Sequence, residues 1–111
     1  MLESKITATE APTYVADIFI AGDETAARQA CQEFVLEGEC VNFAPCEYIF
    51  TGGREPGVRV GLINYPRFPR SSSEIFDTAV RLAEFLITRL HQSSASVVAS
   101  DRSVFLTRRS S

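Results

Sequence analysis

The sequence predicts an α+β fold, a two-layer sandwich in which two helices cover one face of an antiparallel sheet. Three observations predict it. Two stretches carry apolar residues at helical spacing, each opened by a capping residue. Extended runs rich in β-branched and aromatic residues alternate with them. The chain has 111 residues, 45% hydrophobic and 23% charged, enough for one domain with its own core.

Residues 1–12 show no period, end at Pro12 and read as a loose arm before a single domain over 13–107, with 108–111 as a frayed tail. Tyr14 to Ala21 is β-branched and aromatic, with Ile18, Phe19 and Ile20 together, and reads as a buried strand. Gly22-Asp23 stops it, and Asp23 suits a helix N-cap. Ala27, Ala30, Cys31, Phe34 and Val35 then fall at i, i+3, i+4, i+7 and i+8, on one face of a helix that Gly38 should end. Glu39 to Phe50 is extended, and Pro45 within it marks a bulge or a sheet edge. Thr51 to Gly57 reads as a turn and Val58 to Tyr65 as the returning strand of a hairpin. Tyr65 to Arg70 cannot be helical, because each of its two prolines pushes its predecessor to extended geometry. Ser71-x-x-Glu74 is a capping box. Behind it Ile75, Phe76, Ala79, Val80, Leu82, Ala83, Leu86, Ile87 and Leu90 form a broad apolar helix face running to about His91. Ser96 to Ala99 and Ser103 to Leu106 are a last hairpin or one bent strand.

The order βαββαβ is that of ferredoxin-like sandwiches. Only Asp17, Glu47 and Arg59 put charge on the strands, so both sheet faces are expected to be covered, which points to a homo-oligomer, a dimer or a multiple of dimers.

The net charge of −3 is unevenly spread. Residues 1–55 hold Lys5, Arg28 and Arg54 against ten acids, a balance of −7. Residues 56–111 hold eight arginines against Glu74, Asp77, Glu84 and Asp101, a balance of +4. The acidic total argues against a DNA-backbone binder. No apolar run reaches the roughly 18–20 residues of a membrane span, and the first residues lack a signal-peptide pattern. The expectation is a cytoplasmic protein with no membrane and no DNA partner. Cys31, Cys40 and Cys46 with His91 lack zinc-ligand spacing, so no metal is expected. Cys40 and Cys46 could meet across a bulge.

No Ser-His-Asp constellation or Walker lysine is present, and no cofactor is implied. The expectation is that the chain is not an enzyme. Anion and base binding is better supported. Thr51-Gly52-Gly53-Arg54 is either an amide nest for an anion or an ordinary hairpin turn. Asn64, Tyr65, Arg67, Phe68 and Arg70 mix an amide, rings and guanidinium forks suited to bases and phosphates. The bland alternative is a braced crossover with Phe68 plugging the core. Asn64 reads a base edge or a ribose hydroxyl, or caps the loop. Ser71, Ser72 and Ser73 attract an anion or simply cap the helix. Arg102 and Arg108, flanking a short strand in the basic half, are further phosphate candidates.

The string Gly61-Leu62-Ile63-Asn64-Tyr65-Pro66-Arg67-Phe68-Pro69, preceded by Tyr48-Ile49-Phe50-Thr51-Gly52-Gly53, resembles a family of small bacteriophage and prophage proteins. Ala21-Gly22-Asp23, Cys31, Leu36-Glu37-Gly38 and Val97-Val98-Ala99-x-Asp101-Arg102 extend the resemblance over about residues 14–106. That family in turn resembles phage anti-Thoeris proteins. The resemblance implies a phage anti-defence protein that sequesters a cyclic nucleotide immune messenger of the cyclic ADP-ribose type, or a cyclic oligonucleotide, without degrading it. Arginines and Phe68 of the string become its ligand candidates. Alternatives are a phage inhibitor or scaffold acting on a host defence protein by surface contact, and a small enzyme.

Overall fold

A computed structural model describes residues 5–108. Its elements are β1 (Val15–Ala21), α1 (Glu24–Phe34), β2 (Asn42–Phe50), β3 (Gly53–Ile63), α2 (Ser72–Arg89), β4 (Ser94–Ala99) and β5 (Ser103–Thr107). All neighbouring strands are antiparallel, in the order β2-β3-β1-β4-β5. The α+β sandwich is as expected. The open choice at the C-terminal end falls to the hairpin, so a fifth strand extends the sheet beyond β4.

Alternation places Ala16, Ile18 and Ile20 of β1 on one face, with Val58, Val60 and Leu62 of β3 and Ala95 and Val97 of β4, all buried. Both helices pack there. α1 presents Ala27, Ala30 and Cys31. α2 brings Ile75, Ala79, Leu82, Ala83 and Leu86. Arg89 of α2 pairs with Glu33 of α1. Among the described residues, no element forms a layer over the opposite face, with Asp17, Phe19, Arg59, Ser96 and Phe105.

The caps form as the sequence dictates. The Asp23 carboxylate accepts from the Ala26 N–H at 2.9 Å. Ser71 and Glu74 make the reciprocal capping box. α1 stops at Phe34, and a single 3-10 turn over Val35–Glu37 leads to Gly38, whose φ of 105° is left-handed.

Two expectations are corrected and one open alternative is resolved. The predicted Thr51–Gly57 turn shrinks to Thr51 and Gly52, where Gly52 takes a φ of 87°. The ladder resumes at Gly53 because Pro56 lies past the end of β1, whose pairing with β3 stops at Ala21↔Gly57. Residues Glu47 to Pro56 thus form a two-stranded ribbon reaching beyond the rest of the sheet. Second, the open choice at Pro45 between a bulge and a sheet edge falls to the edge, since the β2–β3 register runs unbroken from Asn42↔Gly61 to Phe50↔Gly53. Cys46 accordingly faces Gly57 in that register, while Cys40 precedes the strand and bonds elsewhere. Third, the tail expected to fray from Arg108 is tied there, its N–H bonded to the Ser93 carbonyl at 3.0 Å. Residues 1–4 of the predicted arm and 109–111 of the predicted tail lie outside the described residues; residues 5–14 form no helix or strand.

Candidate functional site

β3 delivers the chain to a crossover, residues 64–71, that returns it to α2. Asn64 anchors this crossover. It is 8% exposed, donates from Nδ2 to the Pro12 carbonyl at 2.8 Å and accepts the Arg70 N–H on Oδ1 at 2.9 Å. Both ends of its amide are used, so the loop-capping alternative describes it. Tyr65 projects toward the α1–β2 connection, where the Cys40 thiol bonds its hydroxyl at 3.4 Å. That contact, with partial burial, pushes the phenol up to about 12. Arg70 lies against Glu39, with a 3.2 Å contact in an ion pair shielded from most of the solvent. Gly38, Glu39, Cys40, Leu62, Ile63, Tyr65, Phe68 and Arg70 enclose a cavity of about 150 Å³.

So the sequence-predicted cluster of Asn64, Tyr65, Phe68 and Arg70 does converge. Its chemistry differs from the expectation. The Arg70 guanidinium is already held by a carboxylate. Phe68 is 69% exposed, so it does not plug the core; its ring carries the Arg67 guanidinium at 5.2 Å. At the α2 N-terminus the Ser71 hydroxyl accepts the Glu74 N–H and the Glu74 carboxylate accepts the Ser71 N–H, which holds that carboxyl below its ordinary value.

The remaining candidates do not join the cluster. Thr51, Gly52, Gly53 and Arg54 sit at the exposed tip of the ribbon, and Arg54 approaches Glu47 at 3.8 Å. The eleven residues of β3, at about 3.3 Å each, put that tip roughly 35 Å from Asn64. Within one chain the glycine turn and the crossover cannot grip the same ligand. Arg102, in the β4–β5 turn, lies 3.7 Å over the Phe76 ring. Beside it the Tyr14 hydroxyl donates to Asp101 at 2.7 Å, and burial followed by that carboxylate raises the phenol's pKa. Arg108 lines a separate shallow cleft with Glu84, Ile87, Thr88, Leu106 and Thr107.

Three concave regions escaped the sequence reading, and the first, of about 650 Å³, lies at the C-terminal end of α1 with Phe34, Leu36, Arg81 and Phe85 in its lining. The second, of about 300 Å³, lies under α1, with Arg28 stacked 4.5 Å over Phe43 and Cys31 and Cys40 on its walls. The third, of about 440 Å³, lies on the uncovered sheet face among Phe19, Ala21, Tyr48, Glu55, Ser94, Ser96 and Phe105. The Tyr48 hydroxyl donates to the Val58 carbonyl at 2.7 Å, and burial raises its pKa. Only alternation along β1, β4 and β5 could have flagged this third region, and alternation does not say which strands are neighbours.

Among the described residues no helix is long and apolar enough to cross a membrane. No family model and no curated protein matches the sequence. Solved structures do. A phage SAM lyase in complex with S-methyl-5'-thioadenosine superposes with a TM-score of 0.71 over 94% of this chain and 96% of that one, at 13% identity. A phage SAM lyase in the apo state superposes with a TM-score of 0.66 over 100% of this chain and 99% of that one, at 14% identity. The expectation that this chain is not an enzyme is therefore corrected: along nearly its whole length it has the fold of a phage lyase.

Proposed function

We propose that the chain binds S-adenosylmethionine and splits off S-methyl-5'-thioadenosine. The observation that supports this is the whole-length likeness to a phage SAM lyase holding that thioether. In the proposed reaction the bond from the sulfonium sulfur to the γ-carbon of the amino-acid chain breaks. Its electron pair stays on sulfur and neutralises it. The four-carbon fragment leaves as an alkene if a base removes a β proton, or as a lactone if its own carboxylate attacks the γ-carbon. Incubation with S-adenosylmethionine, followed by chromatography with mass detection, should show the thioether accumulating in proportion to protein. Substrate recovered intact, with no shift in melting by the thioether, would overturn the reading.

A second reading keeps the adenosine moiety and changes the ligand to a cyclic ADP-ribose-type messenger, as the resemblance of Gly61 to Pro69 implies. Both readings make this a phage protein acting on small-molecule chemistry of its host. Melting shifts with cyclic ADP-ribose isomers, and none with S-adenosylmethionine or the thioether, would favour the second. A ligand at a hundredfold excess over its Kd adds about 2.7 kcal/mol to the stability.

Self-association belongs to the same proposal. The ribbon tip leaves Ile49 and Phe50 exposed, and an isolated two-stranded hairpin is marginal in water. Light scattering at micromolar concentration should give a mass above the 12.2 kDa of one chain.

A further inference from the structure

We propose that the trough on the uncovered sheet face is a nucleoside pocket that takes an uncharged or cationic adenosine derivative and rejects its phosphate. This rests on the reading that the chain binds an adenosine compound, and it says where and by what chemistry.

Register builds the trough. Phe19 of β1 pairs with Ser96 of β4, which pairs in turn with Phe105 of β5. Cross-strand partners point to the same face, so two phenyl rings stand on strands separated by one small residue. Strands lie about 4.8 Å apart, which puts the bases of the two rings roughly 9.6 Å apart. A flat ring inserted midway lies about 4.8 Å from each, inside the 4.5–7 Å range of offset aromatic stacking. Ser96 leaves that slot open. A larger side chain there would fill it. Ala21 and Ser94 continue the floor with equally small groups, and the Tyr48 ring closes the ribbon side. That ring is fixed, because its hydroxyl is bonded to the Val58 carbonyl. Stacking a base on aromatics of an open sheet face is an established use of this geometry.

The polar groups set the ligand class. Hydroxyls of Ser94 and Ser96 and the amide of Gln92 line the trough, and these both donate and accept toward a base edge. Glu55 is the one charged side chain in the lining. An ionised carboxylate only accepts, so it suits the two hydroxyls of a ribose and opposes a phosphate. Arg59 stands on the other side of Phe19, as its partner on β3, and is not part of the lining. A thioether or a sulfonium nucleoside meets no like charge in the lining, although the Arg59 charge is felt at Tyr48 on its wall. A nucleotide does meet one.

Calorimetric titration of the full chain with S-methyl-5'-thioadenosine, adenosine and AMP tests this. The two nucleosides should bind within about tenfold of one another and AMP at least about tenfold more weakly. Phe105→Ala should weaken thioether binding roughly fivefold to a hundredfold, the range of base–aromatic stacking. Phe105 is 65% exposed, so circular dichroism should find the variant folded. Glu55→Gln should narrow the gap between adenosine and AMP. AMP binding as tightly as adenosine would overturn the proposal. A loss in Phe68→Ala with none in Phe105→Ala would put the base at the crossover, overturning the trough while leaving the adenosine reading intact. If the parent binds no adenosine compound, both fall.

Discussion

Gly57→Ala tests how the ribbon is joined to the body. Gly57 lies where three strands meet, opposite Cys46 on β2 and Ala21 on β1. An added Cβ would sit 2.3 Å from Cε2 of Tyr48 and 2.7 Å from the Ile20 carbonyl oxygen. The tyrosine can swing aside only by giving up its 2.7 Å bond to the Val58 carbonyl. The Ile20 carbonyl is backbone of the central strand and cannot move without shifting the sheet. Overpacking of this kind costs about 1–3 kcal/mol, and the lost hydrogen bond about 0.5–1.5 kcal/mol. The sum is about 2–4 kcal/mol. For a domain near 100 residues each kcal/mol lowers Tm by about 4–8 °C, so Gly57→Ala should melt roughly 10–30 °C below the parent. Thermal melts followed by far-ultraviolet circular dichroism give the number. Tyr48→Ala removes the side-chain half of the clash and leaves the backbone half. The double variant should therefore be less destabilised than the sum of the singles, by about 0.5–3 kcal/mol. A Gly57→Ala protein melting within about 2 °C of the parent, or strict additivity in the cycle, would refute the reasoning.

Asn64→Ala should lower the urea midpoint by about 2 kcal/mol of stability with the m-value unchanged, because the Pro12 carbonyl and the Arg70 N–H both lose their partner. Arg70→Ala should cost about 1 kcal/mol through its pair with Glu39, and melts in about 1 M salt should show most of that difference gone. Alkylation of the native protein should label Cys40 and Cys46, which are exposed, and spare Cys31, which is buried. Burial pushes the Cys31 thiol up to about 11 from an ordinary 9.0. The fold thus favours the neutral thiol, so its contribution is intact below pH 9 and lost as pH rises toward 11. Urea titrations across that window should show a fall of about 2–3 kcal/mol, and a flat profile would contradict the assignment.

What was legible in the sequence was local. Asp23 and the Ser71–Glu74 box were readable because a cap is a hydrogen bond across three residues, and the structure makes both. The strands before and after the first helix were readable from composition and punctuation. The long ribbon was not, since Pro56 and Gly57 look like turn residues until the shortness of β1 removes the need for a ladder donor at Pro56. At the candidate sites the residue types were readable and their partners were not. Nothing near Arg70 in sequence reveals that Glu39 neutralises it. Thr51 and Asn64 look close along the chain, yet an extended strand separates them more than a helix would. Phe19, Ser96 and Phe105 come together only through the sheet order.

Pro45 has a consequence for how the protein behaves in concentrated solution. It stands midway along the outer edge of β2, opposite Val58, and offers a carbonyl but no N–H. A strand arriving from another molecule would find the ladder interrupted there. The far edge of the sheet is β5, only five residues long. Among the described residues, the stretch of outer edge that carries two exposed large apolar side chains, Ile49 and Phe50, is Cys46 to Phe50, at the ribbon tip. Any unwanted strand-to-strand growth would start from that tip, and the body of the sheet would be bypassed.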